Sequence, residues 1–421
     1  MSWTIIVHGM DDYPKYLHRY AAGLVERSLE VSPVVVLMGA RQTGKSTLVR
    51  SEASLVDRLY LSLDDLASRE RASTSPEDFV RSAPRLTIDE VQREPDLVLA
   101  IKAAVDTDRP RRPGRFVLTG SANLLLMQRI SETLAGRATY VTLWPLTRGE
   151  KLGLGGVGRW EELVTSPVEE WFELLGGSEA TAADWRTEAR RGGYPTPAVE
   201  LGSHDARAVW FEGYLRTYLE RDLQDLAAID NLLDFRRLMR ATCLRLGNLA
   251  NQADLGRDTR IPRPTVHRYL NLLETSYQLV RLEPYAVNRA KRLIKTPKLY
   301  WSDPGLALHL GGQAEPTGAH LENLVLMDLL AWRDAGIPRP EVLYWRTTSG
   351  LEVDFVIEHK GGLWPIEIKA GARPAPRDLR GLQAFRDEYP DIFRGGLLLH
   401  GGDEVQWLSK EILGVPWWRV V

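Results

Sequence analysis

An apolar, β-branched run, Val34-Val35-Val36-Leu37-Met38, leads directly into Gly39-Ala40-Arg41-Gln42-Thr43-Gly44-Lys45-Ser46. The spacing GxxxxGK[ST] behind such a run constrains the fold more than any other feature of the chain. A run this short and this apolar is a buried parallel strand. The glycines allow a tight turn whose backbone N–H groups encircle an anion, and the helix that follows points its positive end the same way. An α/β sheet that holds nucleotide phosphates is expected. Gly39, Arg41, Gln42, Thr43, Gly44, Lys45, Ser46 and Thr47 are the candidate contacts, with Lys45 reaching the β/γ-phosphates of ATP and Ser46 ligating Mg2+.

Further short strands are expected at Leu59–Leu63, Leu86–Ile88, Phe116–Thr119 and Tyr140–Leu143, alternating with helical or loop stretches, the pattern of a parallel sheet. A leading helix is expected over Tyr13–Glu30. Leu86-Thr87-Ile88-Asp89-Glu90 places two acids at a strand's C-terminal end, where ligands sit in open α/β sheets. Asp89 is expected to hold Mg2+, and Glu90, off the metal, to polarise the attacking water. Ser121 or Asn123, after the Phe116–Thr119 strand, fits a γ-phosphate sensor, and Ser121 fits a helix N-cap equally. Arg137 is a candidate arginine finger or sensor, or else a surface arginine.

Composition excludes several classes. With 44% hydrophobic and 26% charged residues, the 421-residue chain is neither disordered nor low-complexity, and its length predicts two to four domains. The single Cys243 forms neither an internal disulfide nor a thiolate zinc site, which fits a reducing compartment. Met1 to Asp12 lacks a signal peptide's features, and no run reaches the ~18 apolar residues of a membrane span. A cytoplasmic protein without a membrane partner is expected.

The net charge of -2 names no partner, but Arg257 to Lys298 carries ten Lys/Arg against three acids. Asp205–Met239 reads as one helix, and Leu249–Gly256 and Pro264–Leu273 as two more. Gln278–Leu282 and Lys298–Trp301 follow as short strands. That order reads as a winged helix-turn-helix, with Arg263, Thr265, His267 and Arg268 on or beside the recognition helix and DNA as the expected partner. Winged helices also serve protein contacts, so a protein partner at this module fits as well.

The last hundred residues form their own α/β pattern: helix Glu322–Trp332, strands Leu343–Trp345, Val353–Ile357 and Leu363–Lys369, helix Arg377–Tyr389 and strand Gly396–His400. Residues two apart on a strand share a face, so Glu367 and Lys369 point together, and a hairpin at Lys360-Gly361-Gly362 can bring Asp354 beside them. Two carboxylates and a lysine suit metal-assisted phosphodiester hydrolysis: Asp354 and Glu367 hold the metal, and Lys369 positions the nucleophile. Glu322 is a further candidate ligand and Gln383 a weaker orienting group. An exposed Glu/Lys pair on a strand is equally a structural feature.

Taken together, these residues resemble prokaryotic AAA-type P-loop ATPases with an AAA_14 core and a DUF4143 C-terminal region. The resemblance rests on Gly39–Thr47, Ile88-Asp89-Glu90-Val91-Gln92, Leu118-Thr119-Gly120-Ser121, Leu134-Ala135-Gly136-Arg137, Gly192-Gly193-Tyr194-Pro195, Tyr218-Leu219-Glu220-Arg221-Asp222, Arg263-Pro264-Thr265-Val266, Glu352-Val353-Asp354-Phe355 and Glu367-Ile368-Lys369. It implies an ATPase core (1–160), a helical lid (161–238), a winged helix (239–312) and a PD-(D/E)xK nuclease-like domain (313–421). It also implies nucleotide roles for Lys45, Ser46, Asp89 and Glu90, and places Asp354, Glu367 and Lys369 in the nuclease motif. Arg221 fits a lid-side sensor or a plain surface charge. The expected function is an ATP-hydrolysing protein on DNA, with ATP state setting the winged helix and nuclease-like domain. The alternative is a regulatory switch whose C-terminal half only binds partners. Arginine fingers often act between subunits, so a homo-oligomer is compatible with this reading.

Overall fold

The structure, a computed structural model, describes residues 16–108, 110–120, 132–177, 181–217, 229 and 231–421. Its first sheet has five parallel strands, β1 (Val34–Met38), β2 (Leu59–Ser62), β3 (Leu86–Asp89), β4 (Phe116–Thr119) and β5 (Ala138–Thr142), in the order β2-β3-β4-β1-β5. All four residues of β3 and of β4 are buried, as in parallel strands covered on both faces, and the polar ones among them are Thr87, Asp89 and Thr119. Because β4 lies between β1 and β3, the ends of three strands converge on one edge. The phosphate loop follows β1, Asp89 ends β3 and Thr119 ends β4.

The leading helix is shorter than expected and spans Ala22–Val31. Ahead of it, the Arg19 side chain reaches inward. Its guanidinium donates to the Thr43 carbonyl at 2.7 Å and the Trp144 carbonyl at 2.6 Å, and pairs with Glu150 at 3.1 Å. Those bonds fix the entering chain against the phosphate loop.

The expected continuous helix over Asp205–Met239 is also divided. One helix covers His204–Tyr214 and another Leu232–Leu244. Asn231, in extended conformation, caps the second by accepting from the Leu233 and Asp234 amides at 3.0 and 3.2 Å. Helices Gln252–Thr259 and Arg263–Thr275 and an antiparallel pair, β6 (Leu279–Leu282) with β7 (Lys298–Trp301), complete this region.

The C-terminal part is a second sheet: β8 (Glu341–Arg346), β9 (Glu352–His359), β10 (Gly362–Lys369), β11 (Gly396–His400), β12 (Gln406–Ser409) and β13 (Ile412–Pro416), ordered β12-β13-β11-β10-β9-β8. The β10/β11 and β11/β13 pairs are parallel and the others antiparallel. One hydrophobic core runs from Trp144 through the helical region into this sheet, and Trp160, Trp171, Trp301, Trp332 and Trp417 are fully buried in it. Burying so many large aromatics ties the parts into one packed body. Among the described residues, no helix is long and apolar enough to cross a membrane.

The helix Gly318–Ala335 is the joint between the two sheets. Along it, Asp328 accepts from the Trp160 indole and the Gly158 amide, both at 2.6 Å. The Trp332 indole donates to Glu161 at 3.1 Å, and Asp334 accepts from the Trp144 indole at 2.8 Å. Asp328 is buried and its second oxygen has no partner, and burial pushes its carboxyl up to about 7. The native state then keeps a proton that the unfolded chain releases, so this group lowers stability as pH rises from about 4 to 7. Asp328→Asn keeps the accepting oxygen and removes the titration. Its melting temperature, measured across that interval, is expected to fall less than that of the wild type, each unit of pKa shift being worth about 1.4 kcal/mol.

Candidate functional site

The phosphate loop and the acids of β3 form one compact site. Gly39 has φ +143, and a Cβ there would overlap the Leu143 carbonyl oxygen, so the loop leaves the sheet at a point only glycine permits. Gly44, at φ 93, opens the helix Lys45–Ser51. Within the loop, the Thr43 hydroxyl donates to the Ala40 carbonyl at 2.9 Å. The Lys45 ammonium, buried, donates to the Gly39 and Ala40 carbonyls at 3.1 and 2.7 Å. Arg41 is half-buried, while Gln42 and Thr47 are exposed at the loop's rim.

Across the edge, the Ser46 hydroxyl donates to Asp89 Oδ1 at 3.1 Å. The Thr119 hydroxyl donates to the same oxygen, and the Tyr60 hydroxyl to Oδ2 at 2.6 Å. The Glu90 amide donates to Thr119 Oγ1 at 3.2 Å, and the Gln92 side-chain amide holds the Glu90 carboxylate. Glu90 itself sits at φ 59, a left-handed conformation that turns the chain sharply out of β3. Thr119 and Tyr60 thus anchor the acidic pair, and neither is assigned a role by the sequence alone. The only signal is Thr119's place in Leu118-Thr119-Gly120, which matters once β4 is known to neighbour β3.

Burial drives the charges of this site toward neutrality. It lowers the Lys45 ammonium to about 8, against the opposing pull of Glu90 and Asp89, and raises the Glu90 carboxyl, which Lys45 opposes. Bound phosphates would hold Lys45 charged, so above pH 8 nucleotide binding must take up a proton. Affinity for ATP is expected to fall by up to about tenfold per pH unit there. Titration calorimetry in buffers of different ionisation heat checks the proton count.

Beside the loop, a cavity of about 140 Å³ is lined by Tyr16, Leu17, Leu146, Pro195 and Val199, with Gly44, Thr47 and the charged Arg19 and Glu200. Its mostly apolar wall suits a planar base. Gly192-Gly193, just before Pro195, is held by Asp303, which accepts from the Gly193 amide at 2.5 Å.

One expected contact, Arg137, does not reach the loop. Arg137 precedes β5 beside Val34, at the opposite edge of the sheet, roughly 16 Å of strand away. There it pairs with Asp106 at 2.6 Å, so it is no finger or sensor for its own loop. Ser121, Asn123 and Arg221 lie outside the described residues.

The second cluster lies where helix Gly318–Ala335 meets β7, β9 and β10. Asp354 and Glu367 are buried, and Lys369 pairs with Glu367 Oε1. Glu322 accepts from the Tyr300 hydroxyl at 3.0 Å. Gln383 is half-buried on helix Arg380–Glu388. The structure adds to the expected set a cation that the sequence reading did not place there. Lys298, from β7, stands among these carboxylates, pairing with Glu352 and with Asp354 Oδ1 at 3.5 Å. Among the described residues, no three acidic, imidazole or thiol groups converge to hold a metal ion.

Lys298 also revises the basic module. It is 2% exposed and faces acids. Arg292, buried, pairs with Glu341 and Glu358, and Arg281 with Glu274. Much of the apparent positive excess is therefore neutralised by carboxylates, several of them from the C-terminal sheet. Arg263, His267 and Arg268 remain exposed on helix Arg263–Thr275, Thr265 is half-buried, and Arg268 lies over the Tyr269 ring. Arg263 and His267 border a polar groove of about 520 Å³, shared with Gln252, Lys295 and Glu283.

Comparison with known proteins places these sites in context. Residues 31–152 match the family model of an AAA domain, AAA_14. Residues 182–317 and 317–419 match two domains of unknown function, DUF8612 and DUF4143. An uncharacterized protein of Mycobacterium tuberculosis is 32% identical over 407 residues, covering 94% of this chain and 83% of the relative, and one of Mycobacterium bovis matches equally. An uncharacterized protein of Haemophilus influenzae is 23% identical over 323 residues, 70% of this chain and 74% of its own length. Among solved structures, a Walker-type ATPase of Pyrococcus abyssi is similar at 20% identity and a TM-score of 0.44, over 71% of this chain and 99% of that one.

Proposed function

The chain belongs to the family that joins an AAA_14 domain to a DUF4143 region, and from that premise we propose that it is an ATP-hydrolysing switch that acts on DNA. The observation that carries the reading is the 3.1 Å bond between Ser46, on the phosphate-loop helix, and Asp89, at the end of β3. A hydroxyl and a carboxylate so placed fit Mg2+, whose remaining ligands would be phosphate oxygens and water. When bound, the ion neutralises charge on the β- and γ-phosphates.

The chain's own groups do the rest. The loop amides bind the phosphates. Lys45 exchanges its two carbonyl partners for phosphate oxygens. Thr119 and Tyr60 keep Asp89 in place, and the apolar cavity beside Tyr16 and Pro195 takes the base. Glu90, half-desolvated and not bonded to Ser46, accepts the proton of the attacking water.

The exposed row Arg263, His267 and Arg268 supports a DNA contact made by a winged helix-turn-helix, with the adjoining groove following the phosphate backbone. Taking one cationic side chain away from a phosphate lowers the slope of log K against log salt by about one unit. Arg263→Ala/Arg268→Ala is expected to lower that slope by roughly two in duplex binding, with ATP hydrolysis unchanged. Absence of duplex binding at low salt, or a slope unmoved by the double variant, would sink the DNA part. Loss of ATP binding in Lys45→Ala tests the switch itself.

For the C-terminal sheet, the position of Lys298 favours the reading in which this domain binds rather than cuts. No hydrolytic step is derived through its carboxylates.

A further inference from the structure

We propose that Lys298 is the resident cation of the C-terminal carboxylate cluster. It stands where a divalent metal would be needed and latches the β6–β7 module to the β9–β10 sheet. The inference goes beyond the ATPase and DNA reading and depends on neither nucleotide nor DNA.

Most oxygens of the cluster already have partners. Asp354 Oδ1 faces the Lys298 ammonium at 3.5 Å, and Oδ2 accepts from the Ile368 amide at 2.9 Å. Glu352 pairs with the same ammonium. Glu322 Oε2 accepts from the Tyr300 hydroxyl, and Glu367 Oε1 from Lys369. Glu367 Oε2 alone of the named oxygens is buried without a partner. A magnesium-type ion demands several oxygens in near-octahedral array. It could collect them here only by displacing Lys298.

The donors arrive as a pair. Lys298 and Tyr300 are two apart on β7, so both side chains leave the same face of the strand. They are 2% and 0% exposed. The strand carrying them is anchored from its own side, since Leu249 forms an isolated β-bridge with Lys298 and the Gly247 amide donates to the Leu299 carbonyl at 2.8 Å. Tyr344 of β8 packs against the same lysine, its ring centroid 5.7 Å from the ammonium, and donates to the Thr296 carbonyl. A tethered ammonium so held costs no binding entropy to recruit, unlike a metal from solution. Lys298 serves Glu352 and Asp354, while Glu367 has its own cation in Lys369 and keeps one buried oxygen without a partner.

The test is Mn2+ binding to the full chain without nucleotide, followed by the electron paramagnetic resonance of free Mn2+. Wild type and Glu367→Gln are expected to give the same isotherm. Lys298→Met is expected to gain a site roughly tenfold or more tighter than any wild-type site, and Lys298→Met/Glu367→Gln to lose it. A Glu367-dependent site already present in wild type overturns the proposal, as does the absence of any gain in Lys298→Met. Should that variant not fold, the wild type decides by amine acetylation and mass spectrometry. Lys298 is expected to stay unmodified with and without millimolar Mn2+, and its acetylation on adding Mn2+ alone means that the metal displaces it.

Discussion

Glu90→Gln is expected to slow ATP turnover by roughly 10²–10⁴-fold while ATP still binds. The size follows from the role: a positioned base removes a proton from water as the γ-phosphoryl bond breaks, and an amide cannot. Binding is expected to survive because the phosphate contacts proposed for the loop, Lys45 and Ser46 do not use Glu90. The fold survives because Gln preserves the shape of a side chain held by Gln92 and backed by the Thr119 bond to the Glu90 amide. Asp89→Asn is the contrasting case. It disturbs a carboxylate that accepts from Ser46, Thr119 and Tyr60, so both nucleotide affinity and turnover are expected to drop. Single-turnover hydrolysis beside equilibrium binding of a fluorescent ATP analogue separates the two. Equal turnover in Glu90→Gln and wild type would remove Glu90 from the chemistry and leave another group to activate the water.

What can be read from the sequence divides along a physical line. The phosphate loop is legible because eight consecutive residues carry it, and its strand-before, helix-after setting is written in the adjoining apolar pattern. The end of β3 is legible for the same reason. Thr119 and Tyr60 are not, because their role arises from strand order: only with β4 beside β3, and β2 on the other side, do both hydroxyls reach Asp89. Arg137 shows the converse. Its nearness in sequence to a sheet strand says nothing about which edge it occupies, and it stands at the wrong one. The start of the second helix at Leu232 is set by one capping residue, Asn231, which the helical pattern of the sequence does not single out. Charge counting errs in a particular way. Ten basic residues between Arg257 and Lys298 look like a surface for DNA, yet composition records charge and not what it faces. Lys298 and Arg292 face acids of a sheet that begins some forty residues later.

That buried pairing leads to the largest stability effect expected of the molecule. Asp354→Ala removes one partner of a buried ion pair and the acceptor of the Ile368 amide together. Breaking such a pair costs about 3–5 kcal/mol, because the remaining charge stays in a poorly solvated site. Lys298 keeps Glu352, so the lower end of that range is expected. The loss should be local before it is global, as β7, β9 and β10 share the pair. Hydrogen exchange at Ile368 and Leu299 is expected to accelerate more than exchange in β1 and β4, which belong to the other sheet. A double-mutant cycle isolates the pair: Lys298→Met/Asp354→Ala should cost less than the two single changes added together, since neither group is left facing an absent partner. A cost below about 1 kcal/mol for Asp354→Ala, the value of an ordinary surface pair, would mean that water reaches Lys298 and that the latch between the β6–β7 module and the C-terminal sheet is not closed.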